Sequence, residues 1–79
     1  MGFEYKIAFR AGDPVELESF LAGLRTALIK DPAQPDFAVA LEADGFYFCD
    51  STKSAISSAA FRRLIDEGLN HSEVIVHEL

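Results

Sequence analysis

A two-layer α+β domain is what the sequence predicts: a four-stranded antiparallel sheet with two helices on one face, in the order β-α-β-β-α-β. Three observations lead there. Strict period-two alternation opens the chain, helical spacing of apolar residues appears twice, and a tight-turn signal lies between the two helical stretches. At 79 residues only one core can be built, so the whole chain, 1–79, reads as one domain. Its seven phenylalanines and 49% hydrophobic content suit a packed core rather than a disordered tail.

The first strand is read over Phe3-Glu4-Tyr5-Lys6-Ile7-Ala8-Phe9-Arg10, with apolar residues at odd positions and charged or small ones at even positions. Ala11-Gly12 ends it. Asp13-Pro14-Val15-Glu16 then opens a helix: Asp13 can cap free amides, Pro14 suits the first turn, and Glu16 is spaced to complete a capping box. Leu17, Phe20, Leu21, Leu24, Ala27 and Leu28 form its inward stripe, and Lys30 stands at the negative end of the dipole. Asp31-Pro32-Ala33-Gln34-Pro35-Asp36 cannot continue a helix.

Phe37–Glu42 is the second strand and Phe46–Cys49 the third, joined by an Asp44-Gly45 turn whose two residues favour positive φ. That turn sets Leu41 against Phe48 and Ala40 against Cys49. Val39, Leu41, Phe46 and Phe48 then share one face, and Ala38, Ala40, Glu42, Tyr47 and Cys49 the other. Asp50, Ser51 and Ser54 are alternative caps for a second helix carrying Ile56, Ala60, Phe61, Leu64 and Ile65 inward. Gly68 reads as its left-handed stop, with Leu69 folding back towards Leu64. Glu73–Leu79 is the last strand. Two right-handed crossovers around a hairpin give the strand order 4-1-3-2, the ferredoxin-like plait.

The plait serves many unrelated functions, so function has to be argued from residues. Seven Lys and Arg against thirteen Asp and Glu give a net charge of -6, which disfavours nucleic acid and anionic membranes as partners. No stretch is long and apolar enough to span a bilayer. A single cysteine, Cys49, and no apolar run of signal type in Met1–Lys6 point to the cytoplasm. Lys6 stands where a myristoylation signal at Gly2 would need Ser or Thr.

RNA-recognition plaits stack bases on third-strand aromatics of the open face. Gly45, Phe46 and Phe48 match their motif, but Asp44 replaces a basic residue, Tyr47 a small one and Ser51 an aromatic. The register read above puts Phe46 and Phe48 in the core instead. The loop Ala11-Gly12-Asp13-Pro14 lacks the cysteine pair of copper chaperones. Arg10 lacks the sheet asparagine of an acylphosphatase, since Asn70 follows the second helix. Gly12 stands where amino-acid-binding ACT domains use a glycine, although a strand–helix turn favours one in any case.

Cys49 and His77 are candidate nucleophile and base, but the first strand separates theirs, about 9–10 Å apart. His71, His77, Glu73 and Glu78 do not follow a metal-ligand spacing. Ser51–Ser54 reads as a cap rather than an anion cradle, and Asp13, Glu16 and Glu18 as dipole partners. No catalytic, cofactor or metal site is therefore expected.

What remains is the sheet face opposite the helices. It should carry Glu4, Lys6, Ala8, Arg10, Ala38, Ala40, Tyr47 and Cys49, plus either Ile75, His77 and Leu79 or Val74 and Val76. A small apolar middle rimmed by charges would suit an interface formed by Ala8, Ala38, Ala40, Tyr47 and Cys49. The leading reading is a non-catalytic module that associates with itself or with another protein through this face. The alternative is an ACT-like domain that binds a small molecule.

Overall fold

The structure is a computed structural model that describes residues 2–79. Its elements are β1 (Phe3–Ala8), α1 (Pro14–Leu28), β2 (Phe37–Glu42), β3 (Gly45–Asp50), α2 (Ala55–Leu69) and β4 (Ile75–Glu78). The strands form one antiparallel sheet in the order β2-β3-β1-β4. This is the ferredoxin-like α+β plait.

The core lies between the sheet and the helices. Ile7 and Phe9 from β1 and its exit, Phe37 and Val39 from β2, and Phe46 and Phe48 from β3 meet Leu17, Leu21 and Leu24 of α1 and Ala60 and Leu64 of α2. Aromatic contacts thread it: Phe9 lies 5.0 Å from Phe46, and Phe48 lies 5.2 Å from Phe61, centroid to centroid. Phe3 departs from the inward alternation. It is 48% exposed, and the Lys53 ammonium sits 3.7 Å from its ring centroid.

The helix ends are closed locally. The Asp13 carboxylate accepts from the Val15 N–H at 2.9 Å, but among the described hydrogen bonds Glu16 does not complete the box. At the other end the Lys30 ammonium donates to the Ala27 carbonyl. Of the three alternative caps of α2, Ser54 is the one used; its hydroxyl accepts from the Ser57 N–H. Ser57 is fully buried, and its own hydroxyl donates back to the Ser54 carbonyl.

Four expectations are corrected. The β2–β3 connection is Ala43-Asp44, not Asp44-Gly45, and the register is shifted by two: Leu41 faces Phe46, Val39 faces Phe48 and Ala40 faces Tyr47. A shift of two leaves every side chain on its expected face. Gly45 does take a positive φ of 143°, inside β3. A Cβ there would overlap the Ile7 carbonyl oxygen of β1, so the glycine serves strand packing as well as the turn.

Gly68 is not a stop. It lies within α2, which is capped by Asn70 in right-handed conformation. A Cβ at Gly68 would come within 2.8 Å of Val74 and 3.0 Å of Phe9, so its bareness lets α2 close onto the sheet. Leu69 is consequently exposed instead of folding back. The first and last strands are shorter than read. β1 stops at Ala8 because the Arg10 N–H turns to the Ser72 hydroxyl, and β4 begins only at Ile75.

Candidate functional site

The register decides what the open face presents. Directly opposed residues form rows across the sheet: Glu42, Gly45, Ala8 and Ile75 in one; Ala40, Tyr47, Lys6 and His77 in the next; Ala38, Cys49 and Glu4 in a third. All five interface candidates, Ala8, Ala38, Ala40, Tyr47 and Cys49, lie on this face. The fourth strand adds Ile75 and His77, while Val76 pairs with the buried Ile7 on the helix face.

The centre of the face is not the expected apolar patch. β1 and β3 are the inner strands, so Glu4, Lys6 and Tyr47 are central, and the small residues Ala38 and Ala40 fall on outer β2. The Lys6 ammonium reaches Glu42 at 2.5 Å and Asp44 at 2.7 Å. These hydrogen bonds, to Asp44 first and then Glu42, raise the Lys6 pKa, and the bond from Lys6 lowers that of Asp44. The Tyr47 hydroxyl donates to Glu4 at 2.6 Å. That bond, with lesser help from desolvation and the neighbouring Cys49, holds the phenol protonated well above its ordinary range. The central polar groups are thus matched to one another.

Cys49 and His77 do not meet. Cys49 opposes Glu4, His77 opposes Lys6, and β1 runs between their strands. Phe46 and Phe48 are buried and offer no stacking surface. Among the described residues no cluster of three His, Cys, Asp or Glu is gathered as for a metal ion, and no helix is long and apolar enough to cross a membrane.

Sequence reasoning missed His71. Its ring stacks on Phe9 at 5.5 Å, its Nε2 lies 2.9 Å from a Glu67 carboxylate oxygen, and it fills the space a Gly12 side chain would need. The Glu67–His71 spacing of four along the chain was a readable signal. Gly12 is therefore explained by close packing. Near it, Ala11, Gly12, Pro14, Leu17, Leu41, Glu42 and Ala43 line an open cleft of about 380 Å³.

The two sheet edges differ. On β2, the Arg25 guanidinium of α1 donates to the Val39 carbonyl at 2.8 Å. On β4, the Leu79 N–H bonds to the Glu4 carbonyl of β1. Antiparallel alternation then directs the backbone groups of Ile75 and His77 to β1 and those of Val76 and Glu78 outward. Every residue of β4 is exposed: Ile75 by 60% and Val76 by 41%, with Leu79 beyond it at 68%. Compared with known protein families, curated proteins and solved structures, the chain matches none of them.

Proposed function

We propose that the chain is a non-catalytic self-associating module that joins a second copy through its β4 edge. The observation that carries this reading is the β4 edge, with outward backbone groups and exposed Ile75, Val76 and Leu79. Soluble proteins blunt such edges or pair them with another strand. The lone cysteine of so small a domain supports a cytoplasmic setting.

Size-exclusion chromatography with light scattering tests the reading. The wild type should be dimeric at high micromolar concentration. Val76→Lys should be monomeric with unchanged circular dichroism, because a lysine at an edge resists strand addition. Ala40→Lys and Tyr47→Glu, far from β4, should remain dimeric. A monomeric wild type overturns the proposal; dissociation by the face variants but not by Val76→Lys moves the interface to the middle of the face.

The cleft beside Gly12 supports a second reading, an ACT-like small-molecule site. A thermal-shift screen with amino acids addresses it, since a ligand of the folded state raises Tm.

A further inference from the structure

Resting on the reading of β4 as a self-association edge, we propose that two copies pair β4 antiparallel with Ile75 on the two-fold axis. The result is one continuous sheet with the helices of both copies on the same side.

The backbone restricts the choices. Strands added in a sheet must match faces, so a symmetric pair has its axis through a residue and not between two residues. Val76 and Glu78 turn their amides and carbonyls outward. Val74 follows by the same alternation, because the Glu73 carbonyl is taken on the inner side by the Ser72 hydroxyl, which also accepts from Arg10 of the β1 exit. The axis can then pass through Ile75, Val76 or His77.

Side-chain chemistry separates these three. With the axis at Ile75, this side chain meets its own copy on the open face. Val74 meets the partner's Val76 on the helix face, and Glu73 opposes the partner's His77; symmetry makes both pairs twice. With the axis at Val76, Val74 faces the partner's Glu78 and Glu73 faces the partner's Leu79. With the axis at His77, two imidazoles oppose and Val76 faces the partner's Glu78. Cross-strand pairs favour apolar against apolar and opposite charges together. Only the Ile75 axis sets apolar against apolar at its centre and opposes each Glu73 carboxylate with an imidazole that can donate to it, where the other axes set a carboxylate against an apolar side chain. The same self-complementarity argues for a second copy as the occupant.

Cysteine trapping tests the register on the full chain. In a Cys49→Ser background, Ile75→Cys, Val76→Cys and His77→Cys are made singly and oxidised with diamide. Each symmetric disulfide reports one axis. With the axis at Ile75, the two Val76 Cα atoms are about 8 Å apart, beyond the reach of roughly 7 Å for a disulfide. Ile75→Cys should trap a covalent dimer at least tenfold faster than the other two. Faster trapping at Val76→Cys or His77→Cys overturns the register while leaving the β4 interface standing. A dimeric wild type that traps at none of the three overturns the β4 edge itself, and a monomeric wild type overturns the self-association reading beneath it. Independently, His77→Glu should raise the dimer Kd at least tenfold, because it sets a like charge against each Glu73, and added Glu73→Lys should restore it; no change in Kd with His77→Glu overturns the register.

Discussion

Strands β2 and β4 both terminate the sheet, yet they are finished in different ways. β2 alternates buried and exposed residues, sets Phe37 and Val39 into the core, and has one outward carbonyl, that of Val39, taken by Arg25 from α1. β4 has four residues, none buried, and its outer backbone groups bond to nothing that the register supplies. The difference teaches that a helix side chain can occupy an outward carbonyl in the middle of a sheet edge, where a neighbouring strand would otherwise bond. Where such a side chain is missing, the exposed edge is the part of the fold free to recruit a neighbour.

The largest expected effect sharpens this contrast. Phe37→Ala, at a site 1% exposed and stacked on Phe48, should cost about 3–5 kcal/mol. Ile75→Lys should change the stability of the monomer by less than about 0.5 kcal/mol. Urea melts of the two variants below the dimer dissociation range decide it; equal losses would break the comparison. Gly45→Val comes next, at roughly 3 kcal/mol, from a strained φ together with overlap on the β1 backbone. Full stability in that variant would mean that β1 and β3 do not approach as described.

Arg25→Ala should cost about 1 kcal/mol by removing a charged donor from the Val39 carbonyl. It should also expose the β2 edge, so light scattering should show species larger than those of the wild type. Unchanged size would show that Arg25 does not guard this edge. The smallest effect concerns the surface pair of Lys6 and Asp44. Asp44 is lowered by Lys6, so its stabilisation is present above the unfolded carboxylate value and disappears as pH falls through the folded one. Lys6 is raised, so its share persists until pH rises past the ordinary lysine value. The Tm difference between wild type and Asp44→Asn should be flat from about pH 5 to pH 10 and shrink below about pH 4. Added salt should reduce it throughout, because the pair is exposed.

The sequence by itself determined the element order, the strand order and the face on which the residues of the first three strands lie; the outward set of the last strand was fixed only by its pairing with β1. Period-two and helical spacings are local properties of the chain, and a register slip of two leaves them intact. Asp13 and Lys30 were legible for the same reason, since a helix end is closed by residues a few positions away. Tertiary structure alone decided the rest. The hairpin took Ala43-Asp44 because Gly45 was needed where β1 presses against β3. Gly68 stayed helical because α2 must approach Phe9 and Val74. His71 became a packing residue because Phe9, far away in sequence, lies beneath it. The candidate site was legible as a face and not as a pattern: its five residues could be grouped by parity, but which of them were central depended on β1 and β3 being the inner strands. The inequality of the two edges arises from Arg25 crossing between layers, a contact between residues fourteen positions apart that no periodicity encodes.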